Sequence, residues 1–312
     1  MEYRPYGQTG EDVSLIGLGG ACLDHSSYAD GVATVRRALE LGVSYFDTSP
    51  FYGNGASQAI LGEALEGKSE KYLLATKIGH LAEADDFRSP AKLWAQFQEN
   101  LRVLRRQRVG TLQIHESDWP LWWSDHPAPY EGAIRDDYDF VNAPVMQVLR
   151  EAKQRGLCRF IGLTGNSADE TAGVLAQVDV DTYLPAFNYD LIRRSLRRQA
   201  LPLARRKGVA LILGGVFRDG RLAQVHPEWL SSPPDWMSPE FLERLGRLYA
   251  LQKECGLSLV TLTIRYLVAE PAFSTILVGA GTPENLEECV VAGQAGALPD
   301  ELQRAVEALG LP

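Results

Sequence analysis

Positive charge is in short supply: 31 Lys and Arg stand against 40 Asp and Glu, a net charge of −9 over 312 residues. A protein that grips nucleic acid needs a basic face to neutralise phosphates, so this balance argues against nucleic acid as a partner and favours a small molecule. Nowhere do 18 apolar residues run uninterrupted, and the opening MEYRPYGQTG has neither a basic stretch nor an apolar one. Neither a membrane span nor a secretory leader is therefore expected, and the location expected is cytoplasmic. The four cysteines, Cys22, Cys158, Cys255 and Cys289, lie far apart with no C-x-x-C pair. They read as reduced, mostly buried thiols rather than a disulfide framework or a zinc site. His25, His80, His115, His126 and His226 show no close ligand spacing, so no metal is expected.

What is present is an alternation. Short apolar, β-branched or aromatic runs alternate with longer amphipathic ones through nearly the whole chain, the pattern of successive β/α units around a parallel sheet. Strands are expected near 15–17 and at 44–47, 72–77, 111–115, 160–163, 183–187, 210–213 and 275–278. Helical patterns such as 31–41, 90–104, 143–155, 167–176 and 239–254 lie between them, several opened by Ser, Asp or Pro. Eight strands in this length suit a closed (β/α)8 TIM barrel, α/β in class, better than an open sheet, with residues 1–312 as one domain. Tyr3–Arg4 and Val13–Leu15 flank the turn-rich Gly7-Gln8-Thr9-Gly10, which suggests an N-terminal β-hairpin closing the barrel floor. The basic stretch RRSLRRQALPLARR from Arg193 to Arg206 reads as a solvated helix face.

Two segments interrupt the alternation, 116–140 after the fourth strand and 214–238 after the seventh. Both follow strand C-termini, where barrel enzymes build their sites, so substrate and cofactor account for them better than linkage does. At the same face Asp47, Lys77 and His115 end three successive strands, and Tyr52 follows Asp47 closely. Singly, each has a structural explanation; together they are hard to attribute to chance, because ionisable residues are rare in strands buried on both faces. A phenol titrates near pKa ~10, too high for efficient proton exchange at neutral pH. A Lys77 ammonium nearby favours the phenolate, Asp47 keeps that lysine charged and aimed, and His115 orients a substrate oxygen or passes the proton on. Such a set suits reversible proton transfer to a carbonyl or from a hydroxyl.

The run Asp47-Thr48-Ser49-Pro50-Phe51-Tyr52-Gly53-Asn54 with Ser57 and Leu61-Gly62-Glu63-Ala64-Leu65, then Ala75-Thr76-Lys77 and Ile114-His115, resembles the aldo-keto reductases. So do Phe160-Ile161-Gly162-Leu163-Thr164-Gly165 and Val278-Gly279-Ala280 with Pro283-Glu284, so that the likeness covers almost the whole chain. It implies a catalytic tetrad of Asp47, Tyr52, Lys77 and His115, with Tyr52 as general acid/base. It also implies a nicotinamide cofactor lying extended across the barrel mouth without a Rossmann domain, and the chain has no G-x-G-x-x-G. By the same likeness Gly20 and Ala21 approach the nicotinamide ribose, Thr164 and Asn166 lie near its carboxamide and Phe187 near the ring face, with Asp47 and Gly165 also among the cofactor contacts. Residues 214–222, GGVFRDGRL, supply Gly214, Gly215, Val216, Arg218, Gly220 and Leu222, a composition suited to pyrophosphate. Gly279, Thr282, Asn285 and Glu288 fall at the adenosine end. Many relatives have Ser-Asn where this chain has Thr164-Gly165-Asn166, which redraws the carboxamide contacts.

Members that prefer NADP carry Lys or Arg after the last strand, to pair with the 2′-phosphate. Here there is none between Arg265 and Arg304, Asn285 stands where an arginine is common, and Glu284, Glu287 and Glu288 repel a further phosphate. The cofactor expected is NAD, with NADP as the alternative. The motifs at 75–77 and 160–165, with Pro227-Glu228-Trp229, are most similar to the aldose 1-dehydrogenases, the L-galactose and L-fucose (D-threo-aldose) dehydrogenases among them. That likeness implies oxidation of a free sugar at C1 to its lactone. The loop bearing Glu116, Asp118, Trp119, Trp122, Trp123, Asp125 and His126 sets carboxylates beside aromatic faces, which suits a polyol bound by Tyr52, His115, Glu116 and Trp119. Packing of the loop by its own tryptophans explains the same composition. The competing readings are a generic NAD(P)H-dependent carbonyl reductase and a cofactor-binding regulatory subunit that senses nicotinamide redox state.

Overall fold

The computed structural model describes residues 1–68, 72–125 and 133–310; His126 lies outside the described residues. Strands β1 (Tyr3–Pro5) and β2 (Asp12–Ser14) pair antiparallel, Tyr3 opposite Ser14. Eight parallel strands then close into a barrel in chain order: β3 (Ile16–Gly19), β4 (Tyr45–Asp47), β5 (Leu73–Ile78), β6 (Val109–Ile114), β7 (Cys158–Gly165), β8 (Thr182–Pro185), β9 (Ala210–Leu213) and β10 (Phe273–Gly279). The last pairs with both β9 and β3, so the barrel has no free edge. The returning helices are α1 (Tyr28–Glu40), α2 (Ala56–Ala64), α3 (Pro90–Val103), α4 (Pro144–Gln154), α5 (Ala168–Gln177) and α6 (Ala200–Lys207). Helices α7 (Pro239–Cys255) and α8 (Leu259–Leu267) separate β9 from β10, and α9 (Pro283–Gln294) and α10 (Asp300–Glu307) end the described chain. This is the (β/α)8 barrel with an N-terminal hairpin that the alternation predicts.

The local chemistry explains the boundaries. Ser27, Ser167, Ser238, Ser258 and Thr282 each accept the backbone N–H three residues on, capping α1, α5, α7, α8 and α9. Gly208 and Gly256 end α6 and α7 in the left-handed conformation. Strand β8 stops at Pro185, two residues short of the expected end, because Phe187 has turned to φ +64°. The arginine stretch is only partly a solvated helix: α6 begins at Ala200, and Arg194 is buried, donating to the backbone carbonyls of Leu191, Val306 and Glu307 at the end of α10.

Side-chain alternation divides the barrel interior into a floor and a mouth. Tyr45, Leu73, Ala75, Phe160, Leu184, Ile212 and Leu277 fill an inner apolar cluster, joined by Tyr6 from the hairpin. The Tyr6 hydroxyl lies 3.0 Å from Thr111 Oγ1 and 3.4 Å from that of Tyr45, so a polar group reaching the barrel axis is satisfied there. Two residues further along their strands, the inward positions become Asp47, Lys77 and Gln113, paired in register as Asp47↔Ala75 and Lys77↔Gln113. The larger core lies between strands and helices.

Candidate active site

Asp47 and Lys77 meet at the top of the barrel, buried and ion-paired, with Lys77 Nζ also donating to Thr48 O at 3.0 Å. The other Asp47 oxygen accepts from Gln113 Nε2 at 2.8 Å, and Asn100 Nδ2 holds the Lys77 carbonyl at 2.8 Å. Burial works to discharge the Lys77 ammonium, but Asp47 and Tyr52 together more than offset this and hold its pKa above the usual lysine value. The ammonium lies 4.6 Å from the centre of the half-buried Tyr52 ring. Burial raises the Tyr52 phenol above its ordinary value, against the pull of Lys77 toward phenolate. Lys77 therefore acts in the expected direction, but in the free chain burial outweighs it.

His115 lies just past β6 and meets the Tyr52 ring edge-on, centroids 5.6 Å apart. Burial, then the charge of Lys77, pushes its pKa well below the ordinary value, so the imidazole stays neutral. Its Nδ1 lies 3.0 Å from Ser49 Oγ, which accepts the Phe51 N–H at 3.1 Å. Close packing imposes glycine twice here. A Cβ on Gly20 would sit 2.8 Å from Asp47 O and 2.4 Å from Ser57 Oγ, while Gly79, at φ +148°, faces the His115 Cβ at 2.8 Å.

The other expected positions ring the same mouth. Gly279 pairs with Gly19, which pairs with Asp47, so the ends of β10, β3 and β4 are contiguous; Ala21 is exposed beside them. Thr164 and Gly165 end β7, and Thr164 Oγ1 donates to Ile114 O and accepts from Glu116 N, both at 3.0 Å. The exposed Asn166 donates to Glu116 Oε1 at 2.7 Å. Gly214 bridges to Ala186, and Arg218 joins the buried Asp190 at 2.7 Å and Phe187 O at 2.8 Å. Gly215 and Gly220 have positive φ, whereas the Val216 and Leu222 side chains are buried in the core, leaving only their backbone to a ligand. Thr282 caps α9; Asn285 and Glu288 are exposed on that helix, and Glu288 accepts from Ser258 Oγ at 2.6 Å. Of the substrate positions, Glu116 Oε2 is 3.1 Å from His80 Nε2 and the half-buried Trp119 meets the His80 ring at 4.9 Å. Trp122 and Trp123 are buried, tying the loop to the carbonyls of His115, Glu116 and Ser117 through their indole N–H groups.

Sequence reasoning missed several participants. Gln113 carried a legible signal, since it stands two residues before His115 on the same strand face. Ser49, His80 and Asn100 carried none, because only barrel closure brings them in. Asp118 accepts the N–H groups of Asn166 and Ser167 at 2.9 and 2.7 Å, and burial raises its carboxyl to about 6. Arg37 was also missed: it reaches from α1 to Glu287 at 2.6 Å and to Glu40 at 2.9 Å, so one acidic residue of α9 is already neutralised.

Known proteins share the fold that carries this site. The chain is 31% identical over 304 residues to L-galactose dehydrogenase of Arabidopsis thaliana, covering 94% of this chain and 88% of that protein. It is 26% identical to pyridoxal 4-dehydrogenase of Microbacterium luteolum, over 99% of this chain and 98% of the relative. The fold matches that of aldo-keto reductase AKR11C1 from Bacillus halodurans (holo form) with a TM-score of 0.78 at 22% identity, covering 99% and 96% of the two chains. Residues 15–310 match the model of the aldo/keto reductase family, oxidoreductases that use nicotinamide cofactors, and the chain belongs to that family.

Proposed function

We propose that the protein oxidises a free aldose at C1 to its lactone with NAD, Tyr52 exchanging the proton and Asp47, Lys77 and His115 supporting it. The observation that carries the reading is the Lys77 ammonium, kept charged by Asp47, 4.6 Å from the centre of the Tyr52 ring. Tyr52 first gives up its own proton to solvent, Lys77 stabilising the phenolate so formed, and the phenolate then takes the proton of the anomeric hydroxyl. Ser49 Oγ, which also accepts from Phe51 N, can bond either tautomer of His115; the mechanism uses the one in which Ser49 donates its hydrogen to Nδ1. That leaves His115 Nε2 as an N–H donor for the substrate oxygen. The similarity to L-galactose dehydrogenase supports a sugar, and Glu116 beside the aromatic rings of His80 and Trp119 supports a polyol.

The mouth fits a nicotinamide cofactor. Asn166 spends its Nδ2 on Glu116, which leaves its carbonyl oxygen to accept from a carboxamide, and the glycine-rich segment 214–222 offers backbone N–H groups to a pyrophosphate. A bound nicotinamide would supply the hydride acceptor for C1; this chain's own residues handle the proton. NAD is favoured because Arg37 is already shared between Glu40 and Glu287, while Glu284 and Glu288 stay exposed on α9. The partners under this reading are a sugar and the cofactor, with no nucleic acid and no membrane, in a single barrel domain of the cytoplasm. Among the described residues no helix is long and apolar enough to cross a membrane.

One observation favours a second reading, reduction of a carbonyl: the raised Tyr52 phenol is an acid at neutral pH. Free aldoses and pyridoxal assayed with NAD, beside simple aldehydes assayed with NADH, separate the two. Aldoses leading by kcat/KM support the first reading; turnover of aldehydes alone replaces it with the second.

A further inference from the structure

Two non-glycine residues at neighbouring strand exits, His80 and Glu116, have left-handed backbones at φ +52° and +57°. Such conformations are strained and persist where the surroundings over-determine them, commonly at functional sites. Here they turn two side chains toward each other. His80 Nε2 stands 3.1 Å from Glu116 Oε2, yet neither atom has a well-aligned hydrogen bond and both are shut off from solvent. The His80 ring is fixed from three sides: Phe51 stacks on it at 3.8 Å, and His115 and Trp119 meet it at 4.4 and 4.9 Å. Glu116 is fixed on its other oxygen by Asn166 at 2.7 Å. A half-satisfied carboxylate is thus held beside His115.

We propose that His80 is a positioning residue that aims the Glu116 carboxylate at a substrate hydroxyl next to the reacting carbon, and so selects hydroxylated substrates over plain aldehydes. This deepens the proposed function and rests on its placement of the reacting carbon beside Tyr52 and His115. A carboxylate has roughly four acceptor positions, and a buried one with few donors is costly. With His80 enclosing Oε2, a hydroxyl adjacent to the reacting carbon donates to Oε1, the oxygen that the exposed Asn166 holds and that keeps further acceptor capacity. A substrate without it leaves Glu116 unsatisfied, and a site built to hydrogen-bond a hydroxyl discriminates strongly against an analogue that lacks one. The exposed Phe51 ring, stacked on His80, offers a flat apolar cover to the C–H face of such a substrate.

The test compares glyceraldehyde with propanal, equal in carbon number and different in hydroxyls, in NADH-dependent reduction, with aldose oxidation by NAD alongside. His80→Asn tolerates the left-handed backbone but is too short to reach Glu116; His80→Gln presents the same amide one methylene further out. For a hydrogen bond to a charged group, KM for glyceraldehyde should rise about tenfold in His80→Asn and in Glu116→Gln, with kcat nearly unchanged. Propanal should lose several-fold less of its kcat/KM than glyceraldehyde in both variants, and His80→Gln should recover most of the glyceraldehyde loss. The double variant His80→Asn/Glu116→Gln should be no worse than Glu116→Gln alone, since the two act through one contact. Equal losses on both aldehydes, or none on glyceraldehyde, overturn the proposal. If no aldose is oxidised yet the aldehyde pattern holds, the sugar reading falls and the assignment of His80 stands.

Discussion

At the scale of single residues, Tyr52 and Asp118 have raised acids for the same reason, burial, with different consequences. For Tyr52 the consequence under the proposed mechanism is catalytic. Tyr52→Phe should lower kcat by about 10²- to 10⁴-fold, the usual contribution of a positioned acid or base, while NAD affinity measured by fluorescence titration stays within about twofold. Near-normal turnover in that variant would refute the mechanism. Because the phenolate form serves oxidation, kcat/KM for the alcohol should climb from neutral to alkaline pH and stay level in Tyr52→Phe. For Asp118 the consequence is stability. The folded chain holds a proton that the unfolded chain releases between pH 3.8 and about 6, so stability falls as pH rises through that window. The loss amounts to at most about 3 kcal/mol, and Asp118→Asn lacks it. The melting temperature of the wild type relative to Asp118→Asn should therefore drop from pH 4 to pH 7; a constant difference excludes a titrating Asp118.

At the scale of elements, the hairpin of β1 and β2 acts through one side chain. Tyr6 is fully buried on the barrel axis among Tyr45, Phe160 and Leu277. Truncating it leaves a cavity and strands the Thr111 hydroxyl, so Tyr6→Ala should cost about 3–5 kcal/mol in urea unfolding. KM should change little, because Tyr6 lies in the layer below Asp47, against Tyr45 and Thr111, and not at the mouth; a KM change with unaltered stability contradicts the role of a floor. The eight strands and the hairpin were legible because their periodicity is local: LLATKI, buried at every position, can be read without knowing its neighbours. Asp47, Lys77 and His115 were legible because charge at a strand end is conspicuous. His80 was not, since a histidine after Ile78-Gly79 has no pattern until Glu116 and Phe51 are brought to it from other strands. Arg194 misled for the opposite reason: helical spacing hid a side chain turned inward to cap α10.

At the scale of the whole molecule, a closed barrel couples its rim. The residues placed for the cofactor come from β7, from the segments after β8 and β9, from β10 and from the turn after β3, all in one hydrogen-bonded ring. A ligand across that mouth binds the folded chain only, because no part of the unfolded chain gathers these positions. It therefore stabilises by mass action, about 2.7 kcal/mol at a concentration of 100 Kd. A chain of this size converts that into a rise of several degrees in melting temperature. Under the proposed placement of the cofactor, NADP sets its extra phosphate near α9, where Glu284 and Glu288 are exposed and Arg37 is already held by Glu40 and Glu287. At equal millimolar-range concentrations NAD should raise the melting temperature more than NADP does. Glu284→Lys should narrow the gap by improving NADP while leaving NAD nearly unchanged, since the adenine ribose of NAD carries no charge for the lysine to meet. Equal shifts in the wild type would sink the NAD preference. A Glu284→Lys variant that improves both cofactors alike would place the adenosine end somewhere other than the start of α9.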